Sequence, residues 1–167
     1  MSVKASANRF ALDSLTNLRA AGQAALVAAQ KSTYNAADVG YLTLDMLSSY
    51  WAMGDQANLL NFNLRCTVES IASVSGTPTI QFTAIVDTDP TFASPAAITV
   101  ATAEVMSATG YADLEIDREI LNSAIVALNG PFTTATPVYL AVTGTIAGGA
   151  SSPQIAWNAY VAPLAGV

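Results

Sequence analysis

The sequence contains no histidine among its 167 residues, and this absence limits the chemistry that we expect of it. Histidine is the side chain used most often for proton transfer near neutral pH, so no Ser/His/Asp or Cys/His constellation can form. The single cysteine, Cys66, cannot make an internal disulfide, and one thiol does not make a zinc site. Because Cys66 falls on the apolar side of a predicted strand, we predict a buried structural thiol in a reducing compartment. The sequence therefore offers no catalytic site based on histidine or on an activated cysteine.

Charged residues are also scarce, at 11% of the chain against roughly 25% in an ordinary soluble domain. The net charge is −6, and the few basic residues form no stripe that could release counterions from a nucleic acid. We therefore expect no nucleic acid as a partner. We also expect no membrane as a partner, because no apolar run approaches the ~18 residues of a membrane helix. Asp13 and Arg19 interrupt the apolar N-terminal stretch, so we predict no signal peptide. The basic residues are Lys4, Arg9, Arg19, Lys31, Arg65 and Arg118.

A surface with so little charge is typical of one that is covered by other protein, because exposed apolar patches usually mark interfaces. The hydrophobic fraction of the chain is 52%. An ordinary neutral monomer surface is the alternative interpretation.

Apolar and polar side chains alternate almost without interruption between residues 60 and 100. Successive side chains of a strand point to opposite faces, so this period of two predicts strands with one buried face and one solvated face. Gly76 and Pro78 lie between the two alternating runs, which predicts a hairpin. Gly148 and Gly149 predict a second hairpin turn.

Short strands separated by turn residues follow one another along most of the chain. The 167 residues are enough for one domain with its own core. Residues 121–135 show no clear pattern, although Asn129-Gly130-Pro131 predicts a break. This organisation predicts an all-β fold, either a β-sandwich or a barrel. Eight strands in two packed sheets would make it an antiparallel β-sandwich of the jelly-roll type. The predicted strands cover residues 41–47, 60–70, 78–87, 98–105, 112–120, 137–145 and 155–161, with an eighth if part of the N-terminal segment pairs.

The first 40 residues differ in composition from the rest of the chain. Residues 9–30 are rich in Ala, Leu, Gln and Arg, which favour a helix, while an extended arm along another subunit is the alternative. We predict that residues 41–167 form the sandwich and that part of the arm at 1–40 belongs to the same domain.

Two groups of acidic residues are candidates for cation binding. Asp113, Glu115, Asp117 and Glu119 recur at every second position, which predicts four carboxylates on one face of a strand. Neighbouring carboxylates there would be about 7 Å apart, too far for one calcium shell, so a solvated face or a contact surface for a basic partner is favoured over a metal.

The segment Asp87-Thr88-Asp89 resembles the start of a calcium loop, but the turn glycine and closing glutamate are missing. An Asx turn before Pro90 explains these aspartates more simply. We therefore predict no metal site at either acidic group.

Aromatic residues could form a platform for sugar binding. Trp157 falls on the apolar side of its strand, so we predict that it packs in the core. Trp51, in a predicted loop at 48–58, is the better exposed candidate. The remaining aromatic residues that we considered are Tyr41, Tyr50, Tyr139 and Tyr160.

Three segments resemble the jelly-roll cement, or decoration, proteins of tailed bacteriophage capsids. A strand at 79–86 (TIQFTAIV) runs into an acidic loop at 87–95 (DTDPTFASP), and a strand at 139–148 (YLAVTGTIAG) ends in a Gly-Thr turn before the last strand. Residues 23–40 are similar to the opening strand of that family, which favours extended structure there. The chain departs from the family at 48–58, before Phe10 and at 121–135.

The resemblance implies a non-enzymatic structural protein of the virion, made in the host cytoplasm and bound to the outer surface of the capsid. It implies the major capsid protein as partner, self-association as a homodimer or homotrimer, and no catalytic, cofactor or metal residues. The alternative is a carbohydrate-binding module of a phage fibre or spike that uses Trp51 and Tyr160. An enzyme that works with carboxylates alone is the least favoured interpretation.

Overall fold

The computed structural model describes residues 17–19, 42–43, 62–89, 92, 97–129, 138–148 and 151–162. Strands dominate this part of the chain, and one helix lies between the sixth and seventh strands. The elements are β1 (Asn17–Arg19), β2 (Leu42–Thr43), β3 (Phe62–Ala72), β4 (Thr79–Asp87), β5 (Ile98–Thr102), β6 (Gly110–Ile116), α1 (Arg118–Asn129), β7 (Tyr139–Ala147) and β8 (Gln154–Ala162).

The strands form two antiparallel sheets that pack face to face. Sheet 1 has the strand order β1-β8-β3-β6, and sheet 2 has the order β2-β7-β4-β5. Three longer strands and one strand of two or three residues make up each sheet. The predicted all-β sandwich is confirmed. Within the described residues, no helix has the length and apolar character needed to cross a membrane.

Burial alternates along the strands as the period of two predicts. Phe62, Leu64, Cys66 and Val68 of β3 are buried, while the residues between them are partly exposed. The core lies between the sheets, where the rings of Phe82 on β4 and Trp157 on β8 are 5.0 Å apart between centroids. The predictions that Cys66 and Trp157 lie in the core are therefore confirmed.

The two predicted hairpins are wrong, because the strands on either side of each turn belong to different sheets. β3 pairs with β6 and β8, whereas β4 pairs with β5 and β7. β7 and β8 are likewise in sheet 2 and sheet 1. Alternation shows which face of a strand is buried, but a strand in either sheet can satisfy it. The residues from Ser73 to Pro78 are enough to cross the roughly 10 Å between packed sheets.

The β3–β4 and β7–β8 connections meet at one end of the sandwich. The backbone N–H of Val74 donates to the carbonyl of Ser151 at 2.9 Å, and the N–H of Ser151 donates to the carbonyl of Ser75 at the same distance. The hydroxyl groups of Ser75 and Ser151 are also hydrogen-bonded, at 3.0 Å. These contacts tie together two crossings that lie far apart in the sequence.

The strand predicted at residues 112–120 is wrong beyond Ile116, where β6 ends and α1 begins at Arg118. Asp117 caps the helix: its Oδ1 accepts the N–H of Glu119 at 2.7 Å and that of Ile120 at 3.2 Å. Such a cap satisfies donors that the first turn of a helix leaves free. Leu121 and Ala124 are buried where α1 packs against β5 and β4. The helix accounts for most of the segment at 121–135 that showed no strand pattern.

One other strand ends earlier than predicted. β5 ends at Thr102 and not at residue 105, and Met106 forms an isolated bridge to Ile80 instead. Of the strand predicted at 41–47, Leu42–Thr43 is described and pairs with β7. Asn17–Arg19 pairs with β8, so the described strands number eight and these three residues are extended, not helical. The other residues of the 1–40 prediction lie outside the described part of the chain.

We predict that Gly148→Ala destabilises the fold by about 1–3 kcal/mol, measured by urea unfolding. The φ angle of Gly148 is 103°, and a Cβ there would lie 2.6 Å from the carbonyl oxygen of Thr77. Both the positive φ angle and the short contact with Thr77 disfavour a side chain at Gly148. The β3–β4 and β7–β8 connections lie close together at this position.

Gly110→Ala is the matched control for this prediction. The φ angle of Gly110 is 150°, but the nearest atom to its Cβ would be Met106 Cε at 3.7 Å. The loss of unfolding free energy in Gly110→Ala should therefore be smaller than that in Gly148→Ala. Equal losses would contradict the close contact between position 148 and the carbonyl of Thr77.

Candidate functional site

The outward side of sheet 1 carries most of the polar and charged side chains that the described strands present to solvent. β3 lies at its centre, with β6 on one side and β8 on the other. The register places Arg65 between Asp113 and Tyr160, and Thr67 between Tyr111 and Asn158. We call this surface the polar face and define it by Asn63, Arg65, Thr67, Glu69, Tyr111, Asp113, Glu115, Asn158 and Tyr160.

Arg65 is the organising residue of the polar face. Its Nε and Nη2 donate to Asp113 Oδ1 and Oδ2, each at 2.7 Å, so the pair is bidentate. The guanidinium carbon also lies 4.5 Å from the centre of the Tyr111 ring. The hydrogen bonds to Asp113 raise the pKa of Arg65 above its ordinary value. Arg65 is thus a permanently charged group held in one orientation.

A second polar contact fixes the next part of this surface. Asn158 Nδ2 donates to Glu69 Oε1 at 2.8 Å, which joins β8 to β3. Tyr111 remains 64% exposed although Arg65 covers part of its ring. Glu115 is exposed and has no hydrogen-bond or ion-pair partner among the described residues. The face therefore combines ordered polar groups with one exposed ring and one unpaired carboxylate.

The predicted row of four carboxylates is wrong as a continuous strand face. Asp113 and Glu115 point outward from β6, but Asp117 caps α1 and Glu119 lies in its first turn. Asp117 leaves the strand because the apolar residues that follow it bury a helical stripe. In the part of the chain that the structure describes, no group of three acidic, cysteine or histidine side chains could hold a metal ion.

The Asx turn predicted at the end of β4 is confirmed. The N–H of Asp89 donates to Asp87 Oδ1 at 3.1 Å, and the N–H of Phe92 donates to the carbonyl of Asp89 at 3.0 Å. Asp87 is buried at the strand end, and Phe92 has a positive φ of 51°. This turn accounts for Asp87 Oδ1, as the sequence predicted.

The aromatic candidates divide between core and surface. Trp157 packs in the core, Tyr139 is half-buried opposite Asp87, and Tyr160 lies half-buried on the polar face. Tyr41, Tyr50 and Trp51 lie outside the described residues.

Sequence reasoning did not single out Tyr111 or Arg65 as members of a site. The alternating pattern indicated that both side chains point outward. It did not indicate that β3 pairs with β6, and this pairing brings the two residues together.

A shallow groove lies between α1 and β5. Its lining is mainly apolar and includes Ile98, Ile120 and Ala127. Ile120 is half exposed there. Glu119 also lines the groove.

Comparison with protein families, with curated proteins and with solved structures finds no match to this chain.

We predict that the Arg65–Asp113 pair contributes about 1 kcal/mol of coupling energy to folding, measured in a double-mutant cycle with Arg65→Met and Asp113→Ala. The bidentate geometry favours a contribution, while both side chains are about 30% exposed, which limits it through solvent screening. A matching cycle between Arg65 and the unpaired Glu115 should give a coupling energy near zero. Equal coupling in the two cycles would show that the bidentate contact adds nothing.

Cys66 predicts a pH dependence of stability. Burial raises the pKa of its thiol well above the ordinary value. The folded protein keeps the thiol neutral, while the unfolded chain ionises it above about pH 8.5, which favours unfolding. The contribution of the neutral thiol is therefore complete below that pH and is lost above it.

Cys66→Ala removes this titration. Between pH 8.5 and 10 we expect the unfolding free energy of the wild type to fall relative to that of Cys66→Ala, with a limiting slope of about 1.4 kcal/mol per pH unit. Urea unfolding at several pH values measures the difference. Parallel curves for the two proteins would contradict the burial of the thiol.

Proposed function

We propose that this chain is a non-enzymatic structural protein of a phage virion that binds the outer surface of the capsid as a homo-oligomer and stabilises the shell. The observation that carries the proposal is the polar face, a surface of ordered polar groups around Arg65 and Tyr111. Such a surface suits binding to another protein, since Tyr and Arg are enriched at protein interfaces.

The strand order supports the jelly-roll part of this proposal. Sheets ordered β1-β8-β3-β6 and β2-β7-β4-β5 place almost every consecutive pair of strands in opposite sheets. That is how an eight-stranded jelly roll with two Greek keys is wound. The decoration proteins that the sequence resembles are expected to have the same fold.

Order within the polar face favours tight association. A side chain that is fixed before binding loses less conformational entropy when the complex forms. Arg65 is held by Asp113, and Asn158 is held by Glu69, so both are ordered in the free protein. Tyr111 adds an exposed ring that a partner can bury. We assign the contact with the major capsid protein to this face.

The outward side of sheet 2 is less suited to this role. Ala141 and Thr143 occupy outward positions on β7 and are nevertheless buried. The β4 residues beside them are uncharged, and the one carboxylate of the strand, Asp87, is also buried. The accessible polar side chains therefore favour sheet 1 as the docking surface.

Oligomerisation would multiply the effect of one contact. A homodimer or homotrimer that touches neighbouring capsomers gains avidity, because each further contact forms at a high effective concentration. The shell would then resist internal pressure through many bridged capsomers.

The test is cosedimentation of the purified full-length protein with capsid shells that lack it. We expect the wild type to bind, and Tyr111→Ala to bind at least about tenfold more weakly because the anchor ring is lost. Val74→Ala is the matched control, since it removes an exposed apolar side chain from the β3–β4 connection. It should bind like the wild type.

Two results would overturn the proposal. One is a strictly monomeric protein with no affinity for such shells. The other is a Tyr111→Ala protein that remains folded and binds shells as tightly as the wild type. This result would show that the polar face is not the contact surface.

Carbohydrate binding by a fibre or spike module is the second candidate function. Tyr111 and Tyr160 share the polar face with hydrogen-bonding side chains, an arrangement that could hold a sugar. A glycan array separates the two candidates: binding that Tyr160→Ala abolishes without unfolding the protein would favour the carbohydrate function, and no binding would remove it.

A further inference from the structure

The strand β6 forms one edge of sheet 1. Among the described strands, it is hydrogen-bonded only to β3, and it runs for seven residues from Gly110 to Ile116. α1 follows it directly but packs against β5 and β4. The outer edge of such a strand presents N–H and C=O groups that can pair with another chain.

The outward side chains of β6 make this edge negatively charged. Tyr111, Asp113 and Glu115 alternate along it and are all exposed. Asp113 is paired with Arg65 on the β3 side, while Glu115 has no partner among the described residues. The edge thus combines strand-pairing capacity with an uncompensated negative charge.

We propose that β6 accepts an extended segment of the partner protein as an additional strand, and that this segment carries a Lys or Arg opposite Glu115. This inference rests on the proposed function and identifies the element of the partner that the polar face binds. In strand addition, backbone hydrogen bonds provide affinity and alternate side chains provide specificity. A basic side chain facing Glu115 would complement the unpaired carboxylate of this edge.

Charge disfavours a second copy of this chain in the antiparallel registers centred on Asp113, Leu114 or Glu115. An antiparallel pair of β6 strands centred on Asp113 would place the two Asp113 residues opposite each other. Centring on Leu114 would place Asp113 against Glu115, and centring on Glu115 would pair the two glutamates. Like charges directly opposite each other destabilise a strand pair.

The test uses the full chain and three synthetic heptapeptides as probes. The first alternates threonine with lysine, the second alternates threonine with glutamate, and the third is the lysine peptide with two threonines replaced by proline. NMR titration gives the affinity from amide shifts, and hydrogen exchange shows whether amides of β6 become protected. We expect the lysine peptide alone to bind, with slower exchange confined to β6 and its neighbours.

Glu115→Lys is the decisive variant, and Glu104→Lys is its matched control at an exposed site outside β6. Glu115→Lys should weaken binding of the lysine peptide by about tenfold or more and permit binding of the glutamate peptide. Glu104→Lys should change neither affinity by more than about twofold.

Three outcomes overturn the inference. The first is unchanged affinity in Glu115→Lys. The second is equal binding of the proline peptide, which would show attraction by charge without backbone pairing. The third is a glycan that shifts the β6 signals when the lysine peptide does not.

Shell binding separates this inference from the proposed function. If wild type and Glu115→Lys bind shells equally, the edge strand is not the contact and the inference fails while the proposed function stands. If the lysine peptide binds as expected but no shell does, strand addition stands and the capsid role fails.

Discussion

Burial of apolar side chains between the two sheets is the constraint on which the rest of this structure depends. Trp157 from sheet 1 and Phe82 from sheet 2 meet across the interior, and the alternating residues of their strands surround them. Once one face of each strand is committed to this core, the other face must point outward. The composition of the polar face is therefore a direct consequence of core packing.

The topology then decides which outward residues become neighbours. Because almost every chain connection crosses between sheets, β3 lies beside β6 and β8 and not beside β4. Arg65, Asp113 and Tyr160 come together across separations of 48 and 95 residues in the sequence (65 to 113 and 65 to 160). The tied connections at Ser75 and Ser151 hold this arrangement at one end of the sandwich.

Much of the fold could be predicted from the sequence, whereas the candidate site could not. Alternation was sufficient to place Cys66 and Trp157 in the core and to locate β3, β4 and β8. It could not identify strand partners, since a period of two is satisfied in either sheet, and so the predicted hairpins were wrong. At Asp117 a helix cap prevailed over an alternating acidic pattern. Arg65 and Tyr111 became a pair only through long-range register.

The face and the edge of sheet 1 belong to one continuous surface, because β6 contributes to both. Its side chains at Tyr111 and Asp113 help to form the polar face, while its backbone forms the sheet edge. Asp113 orders Arg65 and so lowers the entropy lost on binding, and Glu115 leaves a net negative charge at the boundary. The chain has few charged residues, so these groups give the surface a distinct charge pattern. Such a pattern can fix the orientation of a bound partner, which apolar contact alone does not do. A partner that pairs with the edge would also lie against the exposed ring of Tyr111.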